Sequence, residues 1–367
     1  MPLISTEQLT ACKRLLFISP VALGDFLYLK TFLIALKHQY SHIELDIWLD
    51  DNRCNDDAWR LSRSKILQQW MEAEGVFTRT YGCSDSLSAH SQQIEKAKLL
   101  NYDIIFTHSG NKSEQFSKLA HKINSKSYIV SSVGKVKYWG IFDRILFRHS
   151  NKTYRINEKK LPNNHHITDR YYQIINQVTG LHLTVDKFLP SLKIPQHISE
   201  LTNDWLENNF TTNSGKLFFL NHLSTNKKRD WKLSQLFELV EKIVSLDPGS
   251  RFVINVSPEN VATLEKAITK RFSKVEIAVF TARNNFFELP SMISKADQVI
   301  TVETAIMHFA TAAKRPLISL MRPKKSYWAP PETKISKVIY AKQGKRYVSD
   351  ISVERVFNQY TAMNTNS

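Results

Sequence analysis

The chain has 367 residues, 42% hydrophobic and 23% charged, with 10 glycines and 12 prolines. This balance argues against global disorder and allows two domains, each with its own core. Fifty lysines and arginines against 34 aspartates and glutamates give a formal charge of +16, which favours anionic partners: nucleic acid, a phosphorylated sugar, or a phosphate-rich membrane face. Cys12, Cys54 and Cys83 have neither C-x-x-C nor Cys/His ligand spacing, which argues against a disulfide framework or a zinc site and fits a reducing cytoplasm.

The apolar stretch 15–36 is interrupted by Pro20, Gly24, Asp25 and Lys30, so it reads as neither a signal peptide nor a span, and membrane contact is expected to be peripheral. From the start, β-rich runs alternate with helical patterns. A strand at 14–19 precedes a helix at 26–39, a strand at 43–49 a helix at 56–74, a strand at 76–81 a helix at 86–100, and a strand follows at 103–108. After another run at 127–132 the alternation pauses, through a basic aromatic stretch and a polar loop, until a helix near 169–179.

Residues 181–197, with two prolines, read as the connection between halves. The pattern restarts at 216, with further strands at 251–257, 275–280, 298–302 and 316–321. Helices are expected at 233–246, 259–271, 286–295, 305–313 and, last, 352–360. The expected organisation is an N-terminal Rossmann-like domain over 1–190, a second over 191–345, and a C-terminal helix and tail over 346–367 that packs back across the junction. The halves match in pattern, not in residues.

Ligands of parallel sheets bind beyond the carboxyl ends of the strands, which directs attention to two loops. In "ISPVALGDFLYLKTFLIALK" a tight turn ends in Gly24-Asp25 before an amphipathic helix. Gly24 permits a positive φ or a close ligand approach, and Asp25 at the helix start suits either a helix N-cap or a chemical role. In "TVETAIMHFATAAKRPLISL", Glu303, Thr304 and the amides leading to His308 stand at a helix N-terminus suited to phosphate, with Thr304 and His308 on one face. His308 fits a pyrophosphate contact or a core contact.

Taken together, "LGD", "NHLSTNKKRDW" and "TVETAIMHFATAAKRP" resemble, in order and separation, the ADP-heptose:lipopolysaccharide heptosyltransferases of glycosyltransferase family 9. The family's Gly-Asp is intact as Gly24-Asp25. Its Lys-x-Trp-like segment corresponds to Arg229-Asp230-Trp231, with Lys227 and Lys228 beside it. Its Asp-Thr-Gly-x-x-His corresponds to Glu303-Thr304-Ala305-Ile306-Met307-His308, with Glu in place of Asp and Ala in place of Gly.

The resemblance implies an α/β enzyme of the GT-B type, two Rossmann-like domains with parallel sheets facing an interdomain cleft. It implies Asp25 as the general base for an inverting transfer from ADP-heptose to a lipopolysaccharide core or lipid A-linked acceptor. Ser224, Thr225, Lys228, Arg229, Glu303, Thr304, Ala305 and His308 are then the donor and pyrophosphate residues. No Asp-x-Asp motif is present, so metal-independent transfer without a cofactor is expected. The Glu303 and Ala305 replacements keep open another nucleotide sugar, or a chain that binds acceptor without catalysis.

Gly24 with Arg53, Arg60 and Arg63 could hold an acidic acceptor, the arginines alternatively forming an ordinary charged helix face. The segment 126–155, with Lys135, Lys137, Tyr138, Trp139, Phe142, Arg144, Phe147 and Arg148, suits either the cytoplasmic face of the inner membrane or docking on the first domain. "TNKKRDW" also reads as a solvated basic turn anchored by Trp231. A nucleic-acid partner would explain the charge, but no nucleic-acid-binding signature accompanies it.

Overall fold

The computed structural model describes residues 1–134, 140–184, 190–212, 214–283, 285–323, 326–342 and 347–364. The chain divides into two compact units, Met1–Leu189 and Pro190–Ser367.

In the first unit, β1 (Arg14–Ile18), β2 (Glu44–Trp48), β3 (Thr80–Tyr81), β4 (Ile104–Thr107), β5 (Tyr128–Ser132) and β6 (Lys152–Tyr154) form one parallel sheet in the order β3-β2-β1-β4-β5-β6. Its helices are α1 (Thr6–Ala11), α2 (Leu23–Gln39), α3 (Ala58–Glu74), α4 (Leu87–Lys98), α5 (Ser113–Ile123), α6 (Asp143–Leu146) and α7 (Ile167–Thr179). A strand covered on both faces needs a near-continuous apolar run, and β1 supplies one as Leu15-Leu16-Phe17-Ile18, all buried. Around it a core gathers Trp48, Ile94, Tyr102, Ile105, Phe116 and Ile129.

In the second unit, β7 (Leu217–Asn221), β8 (Arg251–Asn255), β9 (Glu276–Phe280), β10 (Gln298–Val302), β11 (Leu317–Met321) and β12 (Ser336–Tyr340) form a parallel sheet in the order β12-β11-β10-β7-β8-β9. Read from its other edge, this is the strand order of the first unit. The helices are α8 (Gln196–Asn209), α9 (Leu233–Leu246), α10 (Val261–Arg271), α11 (Glu288–Lys295), α12 (Ala305–Ala312) and α13 (Val353–Asn364). The last helix packs on α9, β11 and β12 of its own unit, burying Val353, Val356 and Tyr360.

The sequence pattern misses α1, α5, α6, β6, α8 and β12. Helix α8 buries only Ile198 and Thr202, too thin an apolar stripe to stand out, and β6 is three residues long. Helix α2 is not amphipathic as expected: Phe26, Leu27, Tyr28, Leu29, Phe32, Leu33 and Leu36 are buried, and so is Lys30. The Lys30 ammonium lies 2.6 Å from the Glu74 carboxylate at the end of α3, which also accepts from the Trp70 indole at 2.9 Å. Burial lowers the Lys30 pKa while Glu74 opposes that shift. None of the described helices is long and apolar enough to cross a membrane.

Candidate active site

In each unit the strand order reverses direction at one place, between β1 and β4 in the first and between β7 and β10 in the second. Loops leaving those strands diverge and open a crevice at the carboxyl ends, where α/β sheets take ligands.

Helix α2 begins three residues earlier than the sequence pattern predicts. Ala22 is its N-cap, in extended backbone, and its carbonyl accepts the Phe26 amide at 2.9 Å. Gly24 is therefore helical, so its left-handed freedom is unused, and Asp25 stands in the first turn instead of capping it. A carboxylate there is favoured by the free amides and the helix dipole. Asp25 Oδ1 accepts a hydrogen bond from the Tyr171 hydroxyl on α7 at 2.8 Å.

Tyr171 packs edge-on against His108, with ring centroids 5.7 Å apart, and His108 Nδ1 lies 2.9 Å from the Tyr154 hydroxyl. Burial pushes the His108 pKa down to about 4, so its ring is neutral near pH 7. His108 lines a cavity of about 360 Å³ beyond the ends of β4, β5 and β6, together with Ser109, Ser132, Tyr154, Arg155 and Arg170. A Cβ on Gly134 would lie 2.5 Å from the Gly110 carbonyl oxygen, so only glycine allows the loops after β4 and β5 to meet at its edge. At the rim Arg155 pairs with Asp143, and Arg170 lies 2.6 Å from Glu158.

The three arginines expected to face an acidic acceptor instead surround Asp50 and Asp51, at the end of β2. Arg60 is 0% exposed; its guanidinium lies 3.0 Å from Asp50 and 2.7 Å from Asp51 and donates to the carbonyls of Asn55 and Ser84. Asp50 also accepts from the Ser84 amide and hydroxyl. Arg60 is thus an internal counter-ion with no surface to offer an acceptor, which corrects the sequence expectation. Arg53 and Arg63 pair with Asp51 at 2.8 and 3.1 Å, and Arg63 also stacks over Trp59.

In the second unit the loop after β7 holds Ser224 and Thr225, then a short 3-10 turn, Lys227–Arg229, before α9. Ser224 is a turn residue: its amide and hydroxyl both reach Asp230 Oδ1, at 2.7 and 2.9 Å. Thr225 and Lys228 are exposed. Trp231 is buried, and its indole donates to the Ile351 carbonyl at 2.9 Å, so the expected anchor is present beside the basic turn. Below the loop, His222 is buried, its Nδ1 has no hydrogen-bond partner among the described residues, and burial lowers its pKa to about 4 despite the nearby Asp230.

The loop after β10 brings Glu303 against this turn. Arg229 Nε lies 3.5 Å from Glu303 Oε1, and Arg322, directly after β11, approaches Oε2 at 3.4 Å. Thr304 caps α12, accepting the Ile306 amide at 3.3 Å, and Ala305 is the first helical residue. His308 is buried one turn on, its ring 5.7 Å from that of Trp328. Beneath, Asn255 donates to Asn221 and Asn221 to Thr301, a polar row across the ends of β8, β7 and β10. The structure thus unites Arg229 with Glu303 and Thr304, while Tyr171, His108, Arg170 and Arg322 were not singled out from sequence. His108 and Arg322 each stand where an expected strand ends, which was the available signal.

Within the basic segment, Lys135, Lys137, Tyr138 and Trp139 lie outside the described residues. Phe147 is buried, whereas Ile141, Phe142 and Ile145 are 72, 46 and 61% exposed beside the exposed Arg144 and Arg148.

A comparison with curated proteins gives no match. Among solved structures, a glycosyl transferase family 9 protein from Veillonella parvula superposes with a TM-score of 0.76 at 17% identity, covering 97% of this chain and 98% of that one. The ADP-heptose LPS heptosyltransferase II of E. coli gives 0.70 at 14% identity, covering 95% and 98%. E. coli heptosyltransferase WaaC with ADP-2-deoxy-2-fluoro heptose gives 0.60 at 16% identity, covering 96% and 99%. These likenesses establish a fold of two Rossmann-like α/β units of the GT-B type. The family model of glycosyltransferase family 9 (heptosyltransferase) matches residues 127–351, more than half of the sequence, and the chain belongs to that family.

Proposed function

We propose that this glycosyltransferase moves heptose from ADP-heptose to a hydroxyl of a lipopolysaccharide core acceptor, with inversion and without a metal ion. The carrying observation is the meeting of Arg229 with Glu303 at the reversal point of the second sheet, which brings a basic and an acidic loop distant in sequence together. One similar structure is named as an ADP-heptose LPS heptosyltransferase and another is described with ADP-2-deoxy-2-fluoro heptose, which supports this donor.

The second unit is then the donor domain and the first, with Asp25 and the neighbouring cavity, the acceptor domain. Asp25 accepts the acceptor hydroxyl proton as the oxygen forms its bond to the anomeric carbon. The bond from that carbon to the diphosphate oxygen breaks on the opposite face, its electron pair leaving with the nucleoside diphosphate. Lys228, Arg229 and the amides near Thr304 and Ala305 meet the charge that develops there. His308 lies buried one turn further along α12 from Thr304. Exposed Ile141 and Ile145 beside Arg144 and Arg148 support peripheral contact with the cytoplasmic membrane face.

A second donor has specific support: Glu303 is one methylene longer than the family's usual Asp, and Ala305 carries a Cβ where Gly is usual. Calorimetric titration with ADP and ADP-heptose beside UDP, GDP and CMP forms tests the reading. Selective ADP binding upholds it, preference for another nucleotide reassigns the donor, and no binding by any of them refutes it.

A further inference from the structure

Glu303 receives a guanidinium on each carboxylate oxygen, from loops on opposite sides of β10. Arg229 comes from the segment after β7, Arg322 from the end of β11. Both contacts are long for charge-assisted hydrogen bonds, which normally close to about 2.7–2.9 Å. Arg229 Nε makes no hydrogen bond of normal geometry among the described residues. Each arginine reaches Glu303 through Nε, and a guanidinium has five N–H donors, so one carboxylate underuses the pair.

Two cations facing one anion leave positive charge in excess, with exposed Lys228 on the adjoining turn. The carboxylate is the most enclosed of the three, 11% exposed against 35% for Arg229 and 18% for Arg322. A nucleoside diphosphate carries more charge than a carboxylate and can accept bidentate bonds from both forks.

We propose that Arg322 is a second cation of the diphosphate site and that Glu303 is its resident anion, holding Arg229 and Arg322 apart until a diphosphate displaces it. This rests on the reading of the second unit as the donor domain. The extra methylene of Glu303 gives its carboxylate the reach to leave the two arginines while the backbone stays fixed beside the cap of α12.

Inorganic pyrophosphate is a probe that does not depend on the base. In calorimetric titrations of the full chain, Arg322→Gln should weaken pyrophosphate and ADP binding about tenfold or more, with Arg322→Lys in between. Glu303→Gln should strengthen pyrophosphate binding severalfold, because the competing charge is gone. Unchanged affinity in both Arg322 variants would remove that residue from the site, and weaker or equal binding by Glu303→Gln would overturn the resident-anion role. If the wild-type chain binds neither pyrophosphate nor any nucleoside diphosphate, the donor-domain reading falls and this proposal with it. Binding by wild type with no change in the variants refutes the proposal alone.

Discussion

In the first unit, the carboxylate beside the reversal of strand order takes a hydrogen bond from a tyrosine hydroxyl, Tyr171 to Asp25. In the second, the corresponding crevice holds Glu303 between two guanidinium groups. The strand order is the same in both, so topology puts an acidic group in a crevice twice, and the neighbours decide its chemistry. A hydroxyl orients a carboxylate without cancelling its charge, as a proton acceptor requires. Arginines on both oxygens compensate the charge and make the place receptive to anions.

The sharpest way to break this contrast is Asp25→Asn, which keeps the shape and removes the proposed base. Turnover should fall about 10²–10⁴-fold with the melting temperature retained, and a variant that still turns over normally would end the assignment. Next is Arg60→Ala, which leaves Asp50 buried without its cation and should cost about 3–5 kcal/mol in denaturant unfolding of the first unit. Nucleotide binding by the second unit should survive under native conditions. Loss of nucleotide affinity without loss of stability would mean that Arg60 serves ligand binding after all.

Acid should also expose a buried group of the second unit. His222 has a folded pKa of about 4 against 6.5 unfolded, because burial disfavours its charged form. The unfolded chain therefore takes up the extra proton first. Stability from this group is complete above about pH 6.5 and is lost as pH falls towards 4, with a slope of at most about 1.4 kcal/mol per pH unit. His222→Gln should flatten that slope by up to one proton's worth in unfolding titrations, and an unaltered slope would show that His222 does not contribute. The smallest effect is expected for Tyr171→Phe, which deletes the hydroxyl on Asp25. A loss of about 1 kcal/mol, several-fold in kcat at near-constant donor affinity, would confirm that it orients the base.

Much of the sheet framework was readable in the sequence. Strands β7, β10 and β11 are buried along their whole length and mostly apolar, as is β1 after Arg14, and the loops that follow β1, β7 and β10 contained the family's segments. Strand β12 was hidden by its short run among polar residues and helix α8 by its sparse apolar face. The site was readable only where its parts are local. Asp25 and Tyr171 are 146 residues apart, and no spacing rule joins them. Arg60 looked like a surface cation because its helix reads as polar. Its burial follows from Asp50 and Asp51 lying under the same turn, a fact of chain reversal and not of periodicity.

The ion pair between Lys30 and Glu74 ties α2, the helix that begins with Asp25, to the far end of α3. Neither charge can be lost alone without stranding the other in an apolar setting, where Trp70 also depends on Glu74 for its indole hydrogen. Evolution can therefore cross this point only by paired steps: across related chains, positions 30 and 74 should covary, keeping both charges or exchanging them together for two apolar side chains.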